Sequence, residues 1–138
     1  MTDKRPLVLL VEDNPADAMM LMTIFEMQGF EGSVVWVKDG EEALDFLFRR
    51  AGHGNAPSPD LVLLDLNLPR VPGLDVLRTV RASVALRGTR VVVLTTSSSE
   101  ADRNASAELG ASAFLTKPPD LEDYESLVQK LLTVELAR

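Results

Sequence analysis

Three runs of aliphatic residues, Leu7-Val8-Leu9-Leu10-Val11, Leu61-Val62-Leu63-Leu64 and Val91-Val92-Val93-Leu94, are unbroken by any polar residue. A strand with one face in water alternates apolar and polar side chains. Short continuous runs therefore belong to strands covered on both faces, as in a parallel sheet. Val34-Val35-Trp36-Val37 and Ala113-Phe114-Leu115 supply two shorter strands. The stretches between have helical spacing. Asn14 then Pro15 reads as an N-cap with proline at the first helical position, and that helix carries Leu21, Ile24 and Phe25 before stopping near Gly29. Asp39 caps a second helix, with Leu44, Leu47 and Phe48 on one face, and a third begins near Gly73 with Leu74, Leu77 and Val80. Ser97 with Glu100 forms a capping box for a fourth, with Ala101, Ala105 and Leu109 for burial and an end at Gly110. The fifth follows Pro118-Pro119 and sets Leu121, Tyr124, Leu127, Val128, Leu131 and Leu132 on one stripe. Five strands alternating with five helices predict an α/β doubly wound parallel sheet, its right-handed crossovers placing helices on both faces.

The chain has 138 residues, which is one domain's length and enough for one core, so residues 1–138 read as a single domain. Lys and Arg number 14 against 21 Asp and Glu, a net charge of -7 that argues against nucleic acid and polybasic membrane contacts. The absence of cysteine removes disulfides, thiolate metal sites and thiol nucleophiles. The first apolar run ends at Glu12 after 5 residues, too short for a signal peptide or membrane span, so the cytoplasm is the expected compartment. Arg50 to Pro59, with 2 Gly and 2 Pro, reads as an exposed loop.

In open parallel sheets ligands bind beyond the carboxyl ends of the strands. Glu12 and Asp13 follow the first strand, Asp65 the third, Thr95, Thr96 and Ser97 the fourth, and Thr116 and Lys117 the fifth. Each has an ordinary explanation alone, as a cap, a loop start or a solvated charge. Jointly they deliver carboxylates, hydroxyls and an ammonium to one edge. Crowded carboxylates resist ionisation unless a cation sits among them. With oxygen as the only ligand type, Mg²⁺ suits the site better than zinc or copper. Lys and Thr are what a phosphoryl group needs, and a carboxylate can act as nucleophile to form an acyl phosphate.

Val11-Glu12-Asp13-Asn14, Leu64-Asp65-Leu66-Asn67-Leu68-Pro69, Leu94-Thr95-Thr96-Ser97 and Thr116-Lys117-Pro118 resemble the receiver domain of two-component response regulators, in order and across essentially the whole chain. The insertion from Arg49 to Pro59 and the stretch Leu66-Asn67-Leu68-Pro69-Arg70 resemble single-domain receivers paired with bacterial phytochrome kinases. The resemblance implies a flavodoxin-like fold without an output domain, and phosphorylation of Asp65 by a histidine kinase. It implies that Mg²⁺ is held by Glu12, Asp13, Asp65 and the backbone carbonyl of Asn67. Lys117 would pair with the phosphoryl oxygens ahead of a cis bond to Pro118, and Thr95 would turn inward to the phosphate. Phe114 stands at the switch-aromatic position. Movement of strands 4 and 5 would act on a fourth helix thin in large apolar residues, making helix 4, strand 5 and helix 5 the signalling face and a homodimer seam.

The departures concern tuning. Phe114 lacks the hydroxyl that many members carry there, Pro72 before Gly73 stiffens the loop after the acceptor, and Thr96 is larger than the common Ala. Asn67 and Ser97 flank the path of attacking water, and neither is an acid. His53 in the insertion reads as solvated, and Trp36, Met19, Met20, Met22 and Met27 as packing. Two other readings remain: a receiver that binds partners without phosphorylation, and an aspartyl phosphatase. The latter usually has a second Asp where this chain has Asn67.

Overall fold

The chain follows the predicted alternation. In a computed structural model describing residues 5–136, it runs β1 (Leu7–Val11), α1 (Pro15–Met27), β2 (Ser33–Val37), α2 (Gly40–Leu47) and β3 (Leu61–Leu64). It continues through α3 (Gly73–Ala82), β4 (Arg90–Thr95), α4 (Glu100–Glu108), β5 (Ala113–Thr116) and α5 (Leu121–Lys130). All strands are parallel, in the order β2-β1-β3-β4-β5.

The unbroken aliphatic runs are explained by two cores, one on each face. Leu7, Leu9 and Val11 point into one, with Phe46 and Leu47 of α2 and Val76, Leu77 and Val80 of α3. Val8 and Leu10 point into the other, with Leu21, Ile24 and Phe25 of α1 and Tyr124 and Val128 of α5. Each fully buried aliphatic side chain contributes roughly 1.5–3 kcal/mol, so the central strands anchor both layers. The caps form as their chemistry dictates: Asn14 Oδ1 accepts from the backbone of Ala16 and Asp17, and Asp39 Oδ1 from Glu42.

Several expectations are corrected. Helix α4 is capped by Ser99, not Ser97, because the chain stays extended through Ser99, whose Oγ accepts from Asp102 N. Ser97 Oγ instead donates to Asp102 Oδ2 at 2.7 Å. Ala101 is exposed, and the buried residue of α4 is Ser106. Its hydroxyl, alone among the described side chains, is buried without a hydrogen-bond partner. Leu121 is 56% exposed, since it lies at the first turn of α5, beyond the sheet-facing stripe. The end of α5 widens into a π turn over Leu131–Glu135, which buries Leu131 and Leu136. Arg90 meets the carbonyls of Val134 and Glu135 there.

The loop between α2 and β3 is not simply solvated. His53 packs 5.5 Å from the Phe46 ring, and its Nε2 lies 3.8 Å from Glu42 Oε2. Met20 and Met22 pack as expected, whereas Met19 and Met27 are 63% and 74% exposed on the outer side of α1. An open cleft of ≈ 460 Å³ lies between α1 and β2, lined by Met19, Met22, Phe30, Val34 and Trp36.

One arginine ties the far end together. Arg81, at the end of α3, donates to the carbonyls of Thr89 at 2.7 Å and Gly110 at 2.9 Å. Gly110 follows α4 with φ +87°, and a Cβ there would meet the Arg81 guanidinium.

Candidate functional site

Register decides which residues meet. β1 and β3 pair Val11 with Leu64, so Glu12 and Asp65 leave adjacent strands at the same level. β4 and β5 pair Thr95 with Thr116, which sends Lys117 back over that edge. The backbone N–H of Lys117 donates to Thr95 O at 2.7 Å and fixes its start.

The Lys117 ammonium sits among three carboxylates. Glu12 Oε1 is 2.7 Å away, Asp17 Oδ2 2.9 Å and Asp65 Oδ2 2.9 Å. Glu12 is 2% exposed and Asp65 5%. Burial works to lower the Lys117 pKa, but the hydrogen bonds it donates to Glu12, Asp17 and Asp65 outweigh this and hold the ammonium above its ordinary range. For Glu12, burial pushes the carboxyl up against the opposing pull of Lys117. Other bonds fix the carboxylates: Glu12 Oε2 accepts from Asn14 N, and Asp65 Oδ1 from Asn67 N. The Lys117–Pro118 bond is trans, for no cis peptide occurs among the described residues. Trans is the intrinsically favoured isomer, and Lys117 reaches its carboxylates in that form.

One oxygen each from Glu12, Asp13 and Asp65 lies within 4.8 Å of the others. Asp13 is exposed while the other two are buried, so the cluster opens to solvent on one side. This oxygen-only set fits a hard divalent cation. Close packing shapes its floor: a Cβ at Gly73 would collide with the Asp65 carbonyl and Leu66 Cα, and Gly73 N donates to Leu66 O.

The remaining candidates lie around this centre in different states. Thr95 is fully buried, its Oγ1 accepting from Ser97 N at 3.3 Å. Thr96 and Asn67 are exposed, and Ser97 is half-buried. Phe114 is half-buried, with the Arg103 guanidinium 4.7 Å from its ring centre. Trp36 does more than pack: its Nε1 donates to the Glu12 carbonyl at 2.7 Å. Asp17 is the residue that sequence reasoning passes over, since an acid in a first helical turn is ordinary dipole chemistry. No described helix is long and apolar enough to cross a membrane.

Residues 8–129 match the family described as response regulator receiver domain. The probable methanogenesis regulatory protein FilR2 of Methanothrix harundinacea is 43% identical over 125 residues, 91% of this chain and 80% of that protein. Response regulator Rcp1 of Synechocystis sp. is 38% identical over 122 residues, 88% of this chain and 83% of that protein. The Mn²⁺-bound crystal structure of Rcp1 superposes with a TM-score of 0.88 at 36% identity, covering 94% of this chain and 93% of that one. The phosphorylated cyanobacterial phytochrome response regulator RcpA superposes with a TM-score of 0.90 at 34% identity, over 98% of each chain.

Proposed function

The chain belongs to the response regulator receiver family and serves phosphorelay signalling; from that premise we propose that Asp65 accepts a phosphoryl group from a histidine kinase, with Mg²⁺ held beside it. The carrying observation is the buried Lys117 ammonium 2.9 Å from Asp65 Oδ2, next to the oxygen cluster of Glu12, Asp13 and Asp65. Those three side chains and the Asn67 carbonyl would hold the cation. Bound there, it would neutralise the carboxylates and draw charge from the phosphoryl oxygens.

The chain's own groups do the rest. Asp65 lies against the Lys117 ammonium, and one of its oxygens attacks phosphorus. The phosphorus–nitrogen bond of the donor histidine breaks as the new phosphorus–oxygen bond forms, and the imidazole nitrogen leaves with the electron pair. Lys117 then donates to a phosphoryl oxygen. Thr95 gives up the long contact from Ser97 N and turns its hydroxyl to the phosphate. Thr96 and Asn67, both exposed, flank the approach and tune access of donor and water. Ser97 sits beside them and sends the change towards α4 through Asp102.

The signal leaves through α4, β5 and α5, with Phe114 released from beneath Arg103. Half-exposed Leu121 on that face supports a homodimer through it, and RcpA's kinship supports a bacterial phytochrome as the kinase. The reading places this reaction in the cytoplasm. Intact mass after incubation with a small phosphodonor and Mg²⁺ tests it. One phosphoryl group should appear on the wild type, be absent from Asp65→Asn, and not form with a chelator present. Gain by both proteins would move the acceptor elsewhere; gain by neither would favour a receiver that works without phosphorylation.

A further inference from the structure

We propose that Asp17 is a positioning residue for this phosphoryl transfer, keeping hold of the Lys117 ammonium when Glu12 turns to the cation and Asp65 takes the phosphoryl group. The inference rests on the acceptor reading above.

An ammonium has three donors, and in the resting site all are engaged, by Glu12, Asp17 and Asp65. These partners are not equivalent. Glu12 and Asp65 belong to the oxygen cluster that fits a cation, and Asp17 does not. A cation among those oxygens competes for Glu12. A phosphoryl group on Asp65 replaces that carboxylate's free oxygen with oxygens of its own. Both changes release donors of Lys117 at the moment its aim matters. Only the bond to Asp17 is left untouched by either.

Asp17 is built for a fixed position. It lies in the first turn of α1, where a negative charge is favoured, and its own N–H is bound to the Asn14 cap at 3.2 Å. Tyr124 of α5 stands beside this pair; burial first, then the Asp17 charge, raises its pKa. With Glu12 withdrawn, a flexible lysine stem held at one end by Thr95 O has a single carboxylate to aim it. The donor freed by Glu12 is then available to the phosphoryl oxygen, while Asp17 neither gains nor loses a bond to phosphorus.

Asp17→Ala and Asp17→Asn, each compared with wild type at saturating Mg²⁺ and a small phosphodonor, test this. Loss of a charge-assisted hydrogen bond that acts in the transition state should slow acyl phosphate formation about tenfold in Asp17→Ala. Asp17→Asn keeps an acceptor oxygen and should recover part of that rate. Mg²⁺ affinity, followed by fluorescence of Trp36 through its bond to Glu12, should be the same in all three. The Lys117 ammonium signal in nitrogen-15 NMR should broaden in Asp17→Ala as its protons exchange faster with water. Equal or faster phosphorylation of both variants would overturn the inference while leaving the acceptor reading intact. A loss of Mg²⁺ affinity matching the loss of rate would overturn it too. A wild type that gains no phosphoryl group overturns both.

Discussion

Removing the Lys117 ammonium leaves Glu12, Asp17 and Asp65 facing one another with no compensating charge. Lys117→Met should cost about 3 kcal/mol at neutral pH in the presence of a chelator, read by urea unfolding, and added Mg²⁺ should return part of it. The pH dependence has a definite sign. Burial raises the Glu12 carboxyl, so its stabilising contribution is complete below the ordinary Glu value and is lost as pH rises through the raised one. Without divalent cations, Glu12→Gln should match wild type below about pH 4 and become the more stable protein as pH rises towards neutral. Equal unfolding midpoints across that range would show that Lys117 fully offsets the burial. The lysine is also raised, so its own contribution persists through neutral pH and is lost only above the ordinary lysine range. Gly73→Ala would drive a methyl group into the Asp65–Leu66 backbone, costing about 1–3 kcal/mol and lowering phosphoryl uptake together, by unfolding and by mass.

At the scale of elements, α4 is anchored by little. Its buried side chain is a hydroxyl without a partner, so Ser106→Ala should stabilise the helix by about 1 kcal/mol and slow amide exchange over residues 100–110. Phosphorylation should change exchange between Ser98 and Leu115; unchanged protection there would count against this signalling face. The same elements mark how far sequence carries. Strands β1, β3 and β4 are legible because burial on both faces demands the unbroken apolar runs Leu7–Val11, Leu61–Leu64 and Val91–Leu94. The Asn14 and Asp39 caps are legible because a cap is a contact over two or three residues. Ser97 and Ser99 are harder, being hydroxyls two apart whose roles depend on where the chain stops being extended. The cluster around the Lys117 ammonium is half legible: strand ends announce Glu12, Asp65 and Lys117, but Asp17 reaches its lysine across 100 residues of sequence and carries no local mark.

Across the whole molecule, the two cores grip β1 and β3 from both sides, while β5 at the sheet's edge is only half-buried. Strand β2, the other edge, is half-buried too, so what distinguishes the face formed by α4, β5 and α5 is the sparse anchoring of α4. Association through that face should appear in sedimentation as a dimer, weakened by Leu121→Asp, and a monomer at high concentration in both phosphorylation states would remove the dimer. Arg81 then bears on how α4 moves. Its guanidinium holds Gly110 and the backbone before β4, so the exit of the helix is pinned to the stable body. The entrance hangs on three serine hydroxyl contacts beside the acceptor. A rod fixed at one end and tethered at the other swings like a door. If phosphorylation moves this helix, its entrance should travel furthest and its Gly110 end least, so a partner reading α4 would sense an angle.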